Sequence, residues 1–175
     1  ATNDKVLIMD ASDGSKIKYA TLASVCFLEG TKITLSDKST KNIEDLTLDD
    51  IVLSYYIDGL SNLREKEIIS TWKQSTMKGL LSESEIRNIW VNPIDKYIII
   101  NKKLHITNYH IIHIKRNNEY LFTYAENIQI NDELLNSSEI YEKVFDIQQI
   151  HKDINVYNFE LIKDMTSFAD NYLVH

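Results

Sequence analysis

Cysteine occurs once in the 175 residues, at Cys26, and proline once, at Pro93. A single cysteine excludes an intramolecular disulfide. The lone proline supports no conclusion about fold. No stretch approaches the roughly 18 apolar residues of a membrane-spanning helix. The first residues also lack the basic-then-apolar pattern of a secretion signal. These two absences predict no membrane partner and an intracellular, reducing compartment. Positive charge is short as well: 19 Lys and Arg stand against 26 Asp and Glu, a formal net charge of −7. A nucleic-acid binder neutralises phosphates with a basic surface, so nucleic acid is not an expected partner.

What is present suits a globular chain. Hydrophobic residues make up 43% and charged residues 26%, enough for a real core. The length fits one domain, or one domain with an arm. Residues 1–25 read as that arm. Val6-Leu7-Ile8-Met9 and Ile17 to Val25 are two short runs, and Asp10 to Ser15 between them looks like a turn. Gly14 supplies the backbone freedom such a turn needs. A piece this short cannot bury a core alone.

From Cys26 onward strand signals dominate. Ile33-Thr34-Leu35, Asp50 to Tyr55, Tyr97 to Ile100 and Leu104 to Thr107 are β-branched or aromatic runs. Ile111 to Ile114, Val144 to Ile147 and Val156 to Leu161 continue the series, with polar turns between them. Many short strands at close spacing predict an all-β architecture. The one predicted helix runs from Ser82 to Trp90, where Ser82-Glu83-Ser84-Glu85 offers an N-cap and first-turn acids.

The chain also echoes itself. Glu44-Asp45-Leu46-Thr47-Leu48-Asp49-Asp50-Ile51-Val52-Leu53 aligns with Glu126-Asn127-Ile128-Gln129-Ile130-Asn131-Asp132-Glu133-Leu134-Leu135, each pair 82 positions apart. Two copies half a domain apart predict two related half-domains. Asp49 and Asn131 fall where a tight turn favours glycine, a conformation that Asn and Asp tolerate next best.

Cys26 opens the run Cys-Phe-Leu-Glu-Gly-Thr-Lys-Ile. Lys41-Asn-Ile-Glu-Asp-Leu-Thr-Leu-Asp-Asp-Ile-Val-Leu follows, then Thr107-Asn108-Tyr109-His110. Val156-Tyr157-Asn158-Phe159-Glu160-Leu161 and Phe168 to His175 close the chain. In this order, across 26–175, the segments resemble the blocks of Hint domains, the fold of inteins and hedgehog autoprocessing domains. The resemblance implies a horseshoe-like fold of two pseudo-twofold-related β subdomains with at most one short helix. It implies a mini-intein at 26–175 behind an N-terminal flanking segment, 1–25. Tyr56 to Trp90 is too short for a homing endonuclease.

The implied chemistry is an N–S acyl shift at the Val25–Cys26 bond. A cysteine thiolate attacks the Val25 carbonyl and converts an amide into a thioester. Amide resonance opposes the step unless the leaving nitrogen is protonated. A histidine can donate that proton, since its ordinary pKa lies near neutrality. By the resemblance His110 is the donor and Thr107 positions the scissile peptide. On a regular strand residues 107 and 110 face opposite sides, so an irregularity is predicted at Asn108-Tyr109.

Departures from the family pattern matter too. His175 matches the family's penultimate histidine, whose usual partner is a following asparagine that cyclises. No asparagine follows it here, so that C-terminal step is expected to be missing. Asn158 stands where many inteins carry Asp, and it cannot act as a base. Met165 lies near the position of a further histidine. Slow or uncoupled cleavage is the expected consequence. The candidate site is therefore Cys26, Thr107, His110, Asn158 and His175, with Val25–Cys26 as substrate.

No cofactor and no metal are expected. His105, His110 and His113 lie close in sequence, but a structural zinc site wants four ligands and one cysteine leaves few. His105 and His113 read as strand-face residues and His151 as solvated. The expected partner is the chain's own flanking polypeptide, and the expected state is a monomer. Two alternatives stay open: a catalytically degenerate Hint fold that binds or spaces partners, and a Cys–His hydrolase acting on other molecules. Cys26 itself, judged by composition, reads equally as a small buried hydrophobe.

Overall fold

Two residues after Cys26 the chain enters a sharp turn, and a glycine stands within it. Gly30 takes φ +85°, in a turn closed by the Thr31 N–H donating to the Leu28 carbonyl at 3.2 Å. The turn joins β1 (Phe27–Leu28) to β2 (Lys32–Thr34). The computed structural model describes residues 25–60 and 66–175; the two runs and the turn expected within 1–24 lie outside the described residues.

The remaining strands are β3 (Thr40–Asn42), β4 (Ile51–Ile57), β5 (Lys73–Gln74), β6 (Gly79–Ile100) and β7 (Leu104–Ile106). They are followed by β8 (Ile111–Arg116), β9 (Glu119–Tyr124), β10 (Glu133–Leu135) and β11 (Tyr141–Lys143). The last three are β12 (Ile147–Leu161), β13 (Ser167–Ala169) and β14 (Tyr172–Val174). One four-residue helix, α1 (Lys66–Ile69), lies between β4 and β5. Among the described residues no helix is long and apolar enough to cross a membrane.

Two sheets result. In the first, β12, β1, β7, β6 and β4 follow one another, and β12 also pairs with β6. β1 is thus held between β12, where Leu28 faces Val156, and β7, where Phe27 faces Ile106. The second sheet runs β11-β10-β8-β14-β13-β2-β3. Its β14 lies between β13 and β8, with Val174 opposite Ile112. The main core joins the two sheets through Phe27, Ile33, Ile106, Ile112, Ala169 and Val174. Cys26 is fully buried.

The expected helix over Ser82–Trp90 is a strand. Ser84 and Ile86 are buried while Glu83, Glu85 and Arg87 are exposed, a period of two that suits a pleated strand. Pairing with β4, from Ile51↔Glu85 to Ile57↔Gly79, settles it. The Ser84 hydroxyl does not cap a helix; it donates to the Lys163 carbonyl at 2.6 Å. The predicted strand at Val144–Ile147 also shifts. Val144 to Asp146 bridge β11 and β12, and their backbone bonds go to Asn101, Asn131 and Asp132.

The sequence echo is a structural one. Ile43–Asp45 and Ala125–Asn127 are both 3-10 turns, and the residues on either side of each share extended dihedrals within a few degrees. After each turn a carboxylate closes the loop. Asp50 accepts from the Thr47 N–H at 2.7 Å. Asp132 accepts from the Gln129 N–H at 2.7 Å. Asn131 takes φ +73° as expected; Asp49 does not share it.

The two copies differ in their cation. Asp50 meets Lys41 at 2.8 Å at a partly wet site, and Asp132, 2% exposed, takes two bonds from Arg116 at 2.7 Å. Burial pushes the Asp50 pKa up, but the bonds from Lys41 and Thr47 outweigh it and hold it below the ordinary value. That contribution is present at neutral pH and is lost as pH falls below the usual Asp range. Asp132→Ala is expected to cost about 3 kcal/mol, because it strands a half-buried guanidinium. Asp50→Ala should cost about 1.5 kcal/mol, the scale of a charged hydrogen bond in water's reach. Urea unfolding at pH 7 measures both, and equal losses would contradict the burial argument.

Candidate active site

β1 is only two residues long, yet its position is fixed from both sides. The Cys26 N–H donates to the Thr107 Oγ1 at 2.9 Å. The Thr107 N–H in turn donates to the Cys26 carbonyl at 3.0 Å. Thr107 follows the last residue of β7, so the strand that pairs with Phe27 also delivers the hydroxyl to the nitrogen of the Val25–Cys26 peptide.

The chain then turns at Asn108-Tyr109, as the spacing of Thr107 and His110 required. The His110 N–H donates to the Thr107 carbonyl at 3.1 Å. The turn is clasped to the second 3-10 turn by two further bonds, Ala125 N–H to His110 O at 2.8 Å and Glu126 N–H to Asn108 O at 3.0 Å. His110 is 1% exposed. Its ring lies 4.3 Å from that of Phe27, tilted by 53°.

A cavity of about 220 Å³ opens beside Val25. Val25, His110, Asn158 and His175 all line it, with Met165 and Ser167. Phe27, Trp90, Phe159, Glu160 and Leu161 complete its wall. Four of the expected residues thus meet at one place, from the residues ahead of β1, from β12, from the end of β14 and from the turn after β7. Cys26 and Thr107 meet each other at the adjacent peptide. The His175 N–H donates to the Ile111 carbonyl at 2.9 Å, which extends the β14–β8 pairing to the last residue. Its ring packs edge-on to Phe122 at 6.2 Å. His175 is therefore an ordered wall of the cavity.

Asn158 uses its Oδ1 to accept the Phe159 N–H at 2.9 Å, a bond to its own strand. His105 and His113 stand apart from the site, His105 stacked on Tyr97 and His113 within an aromatic cluster. Among the described residues no group of three or more His, Cys, Asp or Glu is placed to hold a metal ion.

No protein-family model matches the chain, and no curated protein matches it. Solved structures do. A bacterial intein-like domain from Clostridium thermocellum is 19% identical with a TM-score of 0.66, covering 86% of this chain and 97% of that one. The fold is Hint/intein-like. The TvoVMA intein is 14% identical with a TM-score of 0.64, covering 87% of this chain and 98% of its own. A DnaB intein from Synechocystis sp. PCC 6803 gives 12% and 0.59 over 87% of this chain and 98% of its own. At these identities the likeness is one of fold. Within this Hint-like fold the sequence did not disclose Phe27, Trp90, Phe159 or Glu160 as cavity residues. Period-two reasoning places only alternate residues of a strand on one side. The register of β6 and β12 shifts between Glu160 and Leu161, and no local signal in either strand marks that shift.

Proposed function

We propose that the chain cleaves its own backbone at Val25–Cys26 through an N–S acyl shift. The observation that carries this reading is the 2.9 Å bond between the Cys26 nitrogen and the Thr107 hydroxyl, with His110 one turn further on. As Cys26 Sγ bonds to the Val25 carbonyl carbon, the carbon–nitrogen bond breaks and the nitrogen takes up a proton. The Thr107 hydroxyl, which accepts the N–H of that nitrogen, holds it in place. His110 is the general acid behind it, held by its turn and by the Phe27 ring. In this reading Asn158 and His175 line the side from which the thioester is later attacked. The segment 1–25 is the substrate and 26–175 the processing domain. The proposal concerns this N-terminal step alone.

Incubation of the whole chain with dithiothreitol at neutral pH tests it. Mass spectrometry should find a fragment ending at Val25 and a remainder beginning at Cys26. Cys26→Ala should release neither. Equal release from the alanine variant would end the proposal.

One observation favours a second reading, a degenerate fold that binds or spaces partners. Asn158 brings no charge to the cavity and spends its oxygen on its own strand. An absence of any fragment after days in thiol would select that reading.

A further inference from the structure

Among the described residues lining the cavity beside Val25, Glu160 is the only one with a side-chain carboxylate. Asn158 and Glu160 are two residues apart on β12 and pair one-to-one with Trp90 and Asn88 of β6, so Glu160 falls on the same side of the ribbon as Asn158 and Trp90, which also line the cavity. Leu161 faces Ile86, so Arg87 is an extra residue on β6 beside Glu160. Such bulges bend a strand and re-aim its side chains. The Glu160 carboxylate accepts from Asn88 Nδ2 at 2.9 Å. It lies 3.5 Å from Arg87 Nη1, a long contact to a side chain that is 47% exposed.

We propose that Glu160 selects by charge the nucleophile that resolves the thioester, admitting neutral and cationic thiols ahead of anionic ones. This rests on the acyl shift proposed above. In the step concerned, the sulfur of an incoming thiol bonds to the Val25 carbonyl carbon. The bond from that carbon to Cys26 Sγ breaks, and the proton of the incoming thiol ends on Cys26. The cavity is the open space next to Val25, so the incoming molecule stands beside Glu160 as it reacts. A unit charge a few ångströms from a carboxylate changes a rate on the order of fivefold even at the screening of water. Arg87 is near enough to offset part of the Glu160 charge and exposed enough for solvent to weaken that offset. The aromatic walls, Phe27, Trp90 and Phe159, limit water around the charge and suit an ammonium group.

The experiment uses the whole chain and three thiols of different charge: cysteamine, dithiothreitol and 2-mercaptoethanesulfonate. Release of the N-terminal fragment is timed with each at one pH and ionic strength. The cysteamine and sulfonate rates are each divided by the dithiothreitol rate of the same variant. Glu160→Gln keeps the acceptor for Asn88 and removes the charge. It should lower the cysteamine-to-sulfonate ratio fivefold or more. Arg87→Gln should raise that ratio, because it unmasks Glu160. High salt should compress the ratio in the unsubstituted chain and leave it nearly unchanged in Glu160→Gln. An unaltered ratio in Glu160→Gln, or a shift of both variants in the same direction, overturns charge selection. The acyl shift would survive that result, since dithiothreitol release reads it separately. No release with any of the three thiols overturns both.

Discussion

Substituting His110 by alanine should slow dithiothreitol-induced release at Val25–Cys26 by about 10²–10⁴-fold, the usual contribution of a positioned general acid. The argument is geometric. His110 is fixed by its own N–H to the Thr107 carbonyl, by its carbonyl to the Ala125 N–H, and by the Phe27 ring at 4.3 Å. Its ring has little freedom, and the cavity it lines is also lined by Val25, whose carbonyl is the one attacked in the proposed step. Thr107→Val keeps the shape of the side chain and removes the hydroxyl. It leaves the buried Cys26 N–H without its acceptor, so it should slow release about 10²-fold and cost about 1–3 kcal/mol of stability. Thr107→Ser restores the hydroxyl and should recover most of the rate. Circular dichroism and urea midpoints of each variant separate lost chemistry from lost fold. If His110→Ala cleaves at the unsubstituted rate while folded, His110 is not the proton donor.

Much of this site was legible because its parts are local. The Thr107–His110 spacing forces a turn, and a turn is there. Cys26 is followed by a glycine that the next bend needs. The duplicated segment repeats as two 3-10 turns, each closed by a carboxylate three residues beyond the threonine or glutamine whose N–H it accepts. What was not legible is tertiary. Ser82 to Trp90 has the cap and acids of a helix start, yet it makes a strand because β4 pairs with its first half and β12 with its second. Local propensity is a weak prior against such pairing. The same ribbon hides Glu160 and Trp90 from sequence reasoning, because their facing depends on pairing between two strands far apart in the chain. His113 shows the opposite case. A strand-face histidine was expected, and the structure adds the cluster that surrounds it.

That cluster yields the largest expected effect of pH on stability. His113 lies on β8 and is fully buried. Its ring packs against Phe122 at 5.1 Å, Tyr141 at 6.1 Å and Tyr120 at 6.5 Å. Nε2 shares a hydrogen bond with the Tyr141 hydroxyl at 3.0 Å, while Nδ1 has no hydrogen-bond partner among the described residues. One cation, Lys115, stands over the Tyr120 and Tyr141 rings at 5.9 and 5.6 Å and does nothing to welcome a second positive charge. Burial therefore pushes the His113 pKa down to about 3. In the unfolded chain the same imidazole titrates near 6.5. Below that pH the unfolded state binds a proton that the folded state refuses, so stability falls with acidification. The slope approaches about 1.4 kcal/mol per pH unit, and about 2.5 kcal/mol is gone by pH 4.5. This is a large share of a typical domain stability of about 5–15 kcal/mol. The loss begins well above the range where carboxylates such as Asp50 protonate, so the two are separable. His113→Phe keeps an aromatic ring in the cluster and removes the titration. Its Tyr141 hydroxyl still reaches Met77 Sδ at 3.8 Å. Urea unfolding between pH 7 and pH 4.5 should show a steep fall for the unsubstituted chain and a nearly flat profile for the variant. Parallel profiles would mean that the acid sensitivity arises elsewhere and that His113 accepts a proton in the folded state.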